Sequence, residues 1–216
     1  MTVAYHSVQI LAAGAELEAD IVVPQQPHGI VLFAHGSGSS RFSPRNRYVA
    51  EQLQHAGLAT ALADLLTPAE EQTDARTGEL RFDIGLLATR LAALTDWLAG
   101  QEPTANLSLG LFGASTGAAA ALVAAAARPA LVRTVVSRGG RPDLAGEVLP
   151  RVHQPVLLIV GRNDPAVLEL NRQAMQSLGG ESQLVIVPGA SHLFEEPGTL
   201  EQVAQLARDW FIEHLT

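Results

Sequence analysis

The stretch from Gly110 to Leu122, GLFGASTGAAAAL, joins an apolar run to an alanine-rich segment through a serine flanked by glycines. Gly113, Ser115 and Gly117 form the pattern Gly-x-Ser-x-Gly, which forces a sharp turn where a strand passes into a helix. The turn lifts the serine hydroxyl above the sheet and places the amide of Thr116 at a helix N-terminus. A simpler interpretation is that Ser115 only caps a helix. The rest of the chain has to distinguish a nucleophile from a cap.

Outside this stretch, short apolar runs alternate with helical patterns, which is typical of βαβ units around a parallel sheet. The segments YHSVQILA and ELEADIVVP, around Ala13-Gly14-Ala15, predict an opening antiparallel hairpin. The strands predicted after the hairpin are residues 29–34, 58–63, 107–112, 131–136, 155–160 and 183–187. The predicted helices are residues 44–55, 84–100, 115–127, 166–178 and 198–214.

These elements predict an α/β fold with a mostly parallel central sheet of about eight strands and helices on both faces. We expect a single domain over residues 1–216. No segment between the strands is long enough for a large lid domain. The loops at 66–82 and 138–153 are the candidates to overhang a site, so we expect a fairly open cleft.

Composition excludes several classes of function. The formal net charge is −8 and all 14 basic residues are arginine, which argues against nucleic acid as a partner. The absence of lysine excludes Schiff-base catalysis and a lysine-dependent phosphate loop. The absence of cysteine excludes disulfides and a thiolate nucleophile. The N-terminal residues lack a signal-peptide pattern and no apolar run is long enough for a membrane span, so we expect a cytoplasmic protein without a membrane partner. The oligomeric state stays open.

A serine, an aspartate and a histidine follow three different predicted strands. In an open parallel sheet, reactive groups gather beyond the carboxyl ends of the strands. Asp164 in LLIVGRNDP and His192 in VIVPGASHLF come after Ser115 in the order Ser, acid, His. A serine hydroxyl needs an imidazole to take its proton, and the imidazole needs an acid to orient it. We therefore predict that Ser115, Asp164 and His192 are catalytic. Asp64 is a rival acid that precedes the serine, and Asp164 and His192 also fit an ordinary turn and loop.

The motifs VLFAHGSGSS, GLFGASTG, LLIVGRNDP and VPGASHLF together resemble the α/β-hydrolase superfamily, and within it the small dienelactone hydrolase-like branch. The resemblance spans nearly the whole chain. It implies that His35-Gly36 belongs to an oxyanion loop, in which the backbone amides of Ser37 and Thr116 surround the carbonyl oxygen. It also implies that His35 orders this turn and moves no proton.

One feature departs from that family pattern. Dienelactone hydrolases proper use a cysteine nucleophile, and this chain has none. The resemblance therefore implies hydrolysis of small-molecule esters by a serine, without a metal or organic cofactor, whereas the dienelactone activity does not carry over. Thioesters and lactones share the geometry of the reaction, so both remain open as substrates.

Several arginines follow the predicted strands at the active end: Arg41, Arg45, Arg47, Arg138 and Arg141. A guanidinium there could bind a carboxylate or phosphate of the substrate through paired hydrogen bonds. Arg138 is the strongest candidate because it lies nearest a strand end, and Arg45 and Gly38 are further candidates for substrate binding. The alternative is that these arginines pair with the surplus acids of the chain and hold loops in place.

Two other function classes fit parts of the sequence. GASTGAA is similar to the Gly-x-x-x-Gly-x-Gly turn of short-chain dehydrogenases, but Ala119 replaces the last glycine and a Tyr-x-x-x-Lys pair is impossible without lysine. A non-catalytic binding module on the same fold stays open, because a fold does not by itself establish a function.

Overall fold

The computed structural model describes residues 4–216, in which an eight-stranded sheet is flanked by helices. The strands are β1 (Ala4–Ala12), β2 (Ala15–Val23), β3 (Ile30–Ala34), β4 (Ala59–Ala63), β5 (Leu109–Ala114), β6 (Val132–Arg138), β7 (Val156–Gly161) and β8 (Ser182–Val187). The helices are α1 (Pro44–His55), α2 (Pro68–Thr77), α3 (Ile84–Gly100), α4 (Thr116–Ala127), α5 (Pro165–Ser177) and α6 (Thr199–Leu215). Shorter 3-10 turns occupy Leu80–Phe82 and Pro142–Arg151.

The sheet confirms the predicted α/β fold. Its strand order is β1-β2-β4-β3-β5-β6-β7-β8. The β1–β2 and β2–β4 pairs are antiparallel, and the other five pairs, from β4–β3 to β7–β8 in the strand order, are parallel. The opening hairpin turns through Ala13 and Gly14, both with positive φ, which matches the twist of the two strands.

Two apolar layers cover the faces of the sheet. Residues of α3 and α4 pack with one face, and residues of α1 and α6 pack with the other. The alanines Ala118 to Ala121 in α4 are fully buried, and their small side chains let this helix lie close to the sheet. Helix α4 is thereby fixed directly behind the Gly-x-Ser-x-Gly turn. Within residues 4–216 no helix combines the length and apolarity needed to cross a membrane.

The structure corrects the prediction that residues 66–82 form a loop, because helix α2 occupies most of them. Thr67 caps its first turn: the Thr67 hydroxyl accepts from the amide of Glu70, and the Glu70 carboxylate accepts from the amide of Thr67. Most of the helix is polar, so it carries no apolar periodicity. The segment 138–153 likewise begins with strand, since β6 runs on to Arg138, and it then forms 3-10 turns.

Candidate active site

Ser115 lies in the tight turn between β5 and α4. Its backbone has φ 51° and ψ −120°, a conformation that non-glycine residues seldom adopt. The turn passes so close to the neighbouring chain that a methyl group on Gly117 would lie 2.3 Å from the carbonyl oxygen of Ala34. Although Ser115 occupies the N-cap position of α4, its side chain makes no capping hydrogen bond. The hydroxyl is therefore not engaged as a helix cap.

Asp164 and His192 are hydrogen-bonded to each other. Asp164 follows β7 and His192 follows β8, and the distance from Asp164 Oδ2 to His192 Nδ1 is 2.6 Å. Because Nδ1–H donates to the carboxylate, Nε2 is left free to accept a proton. Asp164 also stands at the N-cap position of α5 without capping it, so its side chain is available to orient the imidazole.

The end of β6 connects the serine to the histidine. The amide of Ser115 donates to the carbonyl oxygen of Arg138 at 3.2 Å. On the next residue, a methyl group built at Gly139 would lie 3.6 Å from His192 Cε1. The structure thus gathers the three predicted catalytic residues along one edge of the sheet, where β5, β6, β7 and β8 end.

The loop after β3 presents backbone amides to the same region. Ser37, Gly38 and Thr116 all line one cleft of about 270 Å³. Thr116 is the first residue of α4, so its amide has no partner within the helix. Within residues 4–216, neither this amide nor that of Ser37 donates a hydrogen bond to the protein. Both amides are therefore available to an anionic oxygen.

His35 holds the loop in place. Its Nδ1–H donates to the carbonyl oxygen of Gly36 at 3.0 Å, and its Nε2 accepts from the amide of Leu65 at 3.1 Å. Burial lowers the pKa of His35, with the Gly36 hydrogen bond and the charge of Asp64 acting in the opposite direction. A neutral imidazole with both nitrogens engaged can order the turn but has no free position for proton transfer.

The rival acid and three of the arginines are engaged elsewhere. Asp64 accepts from the amide of Arg41 at 2.6 Å and also pairs with its guanidinium. Arg41 further pairs with Glu18, Arg47 with Asp20, and Arg141 with Asp143. The alternative interpretation, that arginines at this edge hold loops through acids, therefore describes these three.

The remaining candidates for substrate binding occupy different positions. Arg138 is the last residue of β6 and is 7% exposed, whereas Arg45 lies in the first turn of α1 and pairs with Glu195 at 3.3 Å. The structure places Gly38 on the wall of the cleft with φ 68°.

Sequence reasoning named the segment 66–82 as a candidate to overhang the site, but it singled out none of the residues there that line the cleft. Glu71, Asp74 and Ala75 of α2, together with Arg81, line the cleft opposite the serine-rich loop. Arg81 donates from Nε to Asp74 Oδ2 at 2.6 Å, which joins the 3-10 turn to the helix. The signal in the sequence was the capping box of Thr67 and Glu70.

Across the described part of the chain, no three histidine or acidic side chains are grouped so that they could hold a metal ion.

Comparison with known proteins identifies the family of this site. The family model described as "Dienelactone hydrolase family" matches residues 17–212. The chain belongs to the dienelactone hydrolase family. A dienelactone hydrolase from Anabaena variabilis is a similar member of known crystal structure, with 58% sequence identity, a TM-score of 0.97 and coverage of 99% of both chains.

More distant and longer relatives add context to the family assignment. A cold-adapted esterase from an Arctic intertidal metagenomic library shares the fold with a TM-score of 0.78 at 18% identity, over 99% of this chain and 95% of the other. A Mycobacterium tuberculosis protein named "Putative phosphoribosyl transferase" is 62% identical over 208 residues, which are 96% of this chain and 46% of that protein. This member of the dienelactone hydrolase family therefore spans about half the length of the curated relative.

Proposed function

We propose that the protein is a serine hydrolase that cleaves small carboxylic esters, with Ser115 as nucleophile, His192 as general base and Asp164 as the orienting acid. The observation that carries the proposal is the 2.6 Å hydrogen bond between Asp164 and His192 at the sheet edge where the strained Ser115 turn stands. Membership of the dienelactone hydrolase family supports hydrolysis as the reaction class.

In the proposed reaction, His192 Nε2 takes the proton of Ser115 while Ser115 Oγ attacks the carbonyl carbon. The amides of Ser37 and Thr116 donate to the oxyanion of the tetrahedral intermediate, as fixed dipoles that need no reorganisation during the step. The intermediate collapses, and the leaving alcohol takes the proton from His192. Water, deprotonated by His192, then attacks the acyl-enzyme, and the carboxylic acid leaves as Ser115 recovers its proton.

Thioesters and lactones fit the same chemistry, because each offers a carbonyl carbon with a leaving group. The name phosphoribosyl transferase belongs to a protein of which this chain spans 46%, and the family model matched to this chain describes a hydrolase. We therefore propose hydrolysis for this chain and no phosphoribosyl transfer.

The test compares parent protein with Ser115→Ala on 4-nitrophenyl acetate and 4-nitrophenyl butyrate. We expect kcat to fall on the order of 10⁶-fold, because the acyl-enzyme cannot form. In Asp164→Asn, kcat should fall about 10⁴-fold, because the imidazole is then held in the wrong tautomer. Since the Asp164 side chain caps no helix, the thermal midpoint of that variant should stay close to that of the parent.

Two outcomes would contradict the proposal. A Ser115→Ala variant with parental turnover would exclude this nucleophile. A parent protein inactive on esters, thioesters and lactones would favour the non-catalytic binding module.

A further inference from the structure

Arg138 is a buried charge without a partner beside the proposed nucleophile. Its Nε and Nη1 atoms are sealed from solvent and make no hydrogen bond within the described residues. None of the ion pairs among those residues includes Arg138. Burying an uncompensated charge is unfavourable, so proteins normally pair such groups. The three paired arginines at this edge make Arg138 an exception that needs a physical reason.

The surroundings of Arg138 increase the local positive charge. Side chains alternate along β6, and Val136 packs with residues of α1 and α6, so Arg138 points to that same face. Burial lowers the pKa of Arg138 to about 10, and the positive charge of Arg45 acts in the same direction. The guanidinium therefore remains charged at neutral pH. The Nε of Arg45 is also buried without a partner.

The N-terminus of α1 adds a third positive element. This helix begins at Pro44, directly before Arg45, and has no acidic residue in its first turn. A helix N-terminus carries a partial positive charge and attracts anions. Two guanidiniums and a helix N-terminus thus share one region in which Glu195, 64% exposed, is the one acidic side chain among residues 4–216 that forms an ion pair with either guanidinium.

Arg138 lies close to the proposed catalytic serine and histidine. The carbonyl oxygen of Arg138 accepts from the amide of Ser115, and a methyl group built on the following residue, Gly139, would lie 3.1 Å from the carbonyl oxygen of His192. An anion on Arg138 would therefore lie near the serine and the histidine.

We propose that Arg138, together with Arg45 at the N-terminus of α1, binds an anionic group of the substrate while Ser115 attacks the ester carbonyl. The anionic group is a carboxylate or a phosphate. The inference rests on the proposed ester hydrolysis, and it names the substrate class as esters that carry a negative charge. A planar guanidinium forms paired hydrogen bonds with either anion.

The first experiment measures anion binding without catalysis. In a Ser115→Ala background, the thermal midpoint is followed with inorganic phosphate, with succinate, and with sodium chloride at equal ionic strength. Phosphate, succinate or both should raise the midpoint relative to chloride, since a ligand bound by the folded state stabilises it. Adding Arg138→Met should abolish the rise. The anion that gives the larger rise distinguishes phosphate from carboxylate recognition.

The second experiment measures discrimination between charged and neutral esters. Mono-4-nitrophenyl succinate is compared with 4-nitrophenyl 4-methylpentanoate, and 4-acetoxybenzoate with 4-acetoxybenzamide, each corrected for spontaneous hydrolysis. The first pair places the carboxylate on the acyl side of the ester, and the second pair places it on the alcohol side. We expect Arg138→Met to lower the charged-to-neutral ratio of kcat/KM by about 10- to 100-fold for at least one pair, the range expected for hydrogen bonds to a charged group.

Matched variants separate binding from a structural role. Arg133→Gln makes a charge change at an exposed residue near the other end of β6 and should leave both results at the parental value. Without added anion, Arg138→Met should not lower the thermal midpoint, because it removes an uncompensated buried charge. Arg45→Gln, in the more exposed first turn of α1, should reduce discrimination and provides the test if Arg138→Met does not fold.

The proposal is overturned if phosphate and succinate shift the midpoint of the Ser115→Ala protein no more than chloride does, or shift it equally after Arg138→Met. It is also overturned if the charged-to-neutral ratio is unchanged for both ester pairs. Because anion binding is measured with the nucleophile removed, failure of the proposed hydrolysis and failure of the anion subsite give different results.

Discussion

Ser115 adopts its unusual backbone because the residues around it leave it little alternative. Its carbonyl oxygen accepts from the amides of Ala118 and Arg141, and its own amide donates to Arg138. The first of these contacts starts helix α4, and the others tie the turn to the end of β6. A strained conformation persists only where surrounding contacts determine it, and such sites are often functional.

The glycines of the turn are required by space more than by backbone conformation. Neither Gly113 nor Gly117 has positive φ. A methyl group at Gly113 would lie 2.4 Å from Cα of Ala118, and one at Gly117 would lie 2.5 Å from the carbonyl oxygen of His35. These distances allow no side chain, so the pattern Gly-x-Ser-x-Gly here reflects close packing of α4 on β5 and on the oxyanion loop.

Gly117→Ala should therefore damage both stability and catalysis. The added methyl group must push α4 away from the loop that carries Ser37, and overpacking of this kind typically costs about 1–3 kcal/mol. Unfolding in urea gives the free energy of unfolding, and 4-nitrophenyl butyrate gives the rate. Gly100→Ala is the matched control, because a methyl group at that helix end meets no atom within 4 Å apart from the neighbouring backbone of its own helix. Equal stability of the two variants would contradict the packing account.

At the scale of elements, α2 shapes the cleft although it carries little apolar surface. Arg90 on α3 donates to the Glu70 carboxylate at 2.6 Å and 2.7 Å, and to the carbonyl oxygen of Leu65 at 2.8 Å. These bonds fasten the start of α2 to α3. Glu71 and Asp74 are thereby held where they line the cleft.

The ion pair of Glu70 predicts a dependence of stability on pH. Hydrogen bonds from Arg90, opposed by burial, lower the pKa of Glu70 from 4.5 to about 2. A carboxylate with a lowered pKa contributes stability that is fully present above about pH 4.5 and is lost as the pH falls towards 2. The Glu70 side chain is 30% exposed, so after discounting for solvent screening we expect a contribution of about 1–2 kcal/mol.

Glu70→Gln should remove this contribution while it keeps the shape of the side chain. The difference in free energy of unfolding between parent and variant should shrink as the pH is lowered from 5 to 3, because Glu70 takes up a proton in the unfolded chain while it stays ionised in the folded parent. Urea unfolding at several pH values measures this difference. Glu169→Gln on α5 is the control: it breaks an exposed ion pair with Arg172, keeps an amide oxygen for the hydrogen bond from Gln173, and should show little difference at any pH. A Glu70→Gln difference that stays constant to pH 3 would contradict the account.

At the scale of the whole molecule, the topology brings distant parts of the sequence together. Strands β5, β6, β7 and β8 are neighbours and parallel, so their carboxyl ends lie at one edge. Ser115, Asp164 and His192 follow three of these strands. Because position relative to a strand end depends on apolar runs and turn residues, it could be predicted from local sequence patterns without a structure.

Features that depend on side-chain partners could not be predicted in this way. The five arginines at the active end look alike in the sequence, but three pair with acids, Arg45 has an exposed partner, and Arg138 has no acidic partner within the described part of the chain. Helix α2 was missed because apolar periodicity is the main helical signal, and its polar sequence reveals only a capping box. Strand ends also differ from the prediction: the strand predicted to end at residue 136 continues to Arg138, because its pairing with β7 extends that far.

The most direct test of the central claim is the site of covalent labelling by a fluorophosphonate. Trypsin cleaves after Arg90 and after Arg133 but not at the Arg128–Pro129 bond, so it releases residues 91–133, a peptide that contains two serines, Ser108 and Ser115. Fragmentation of the labelled peptide by mass spectrometry distinguishes them. The account predicts a single phosphonyl adduct on Ser115, and none on this peptide in Ser115→Ala. An adduct on Ser108 or on another peptide, or no adduct in the folded parent protein, would contradict it.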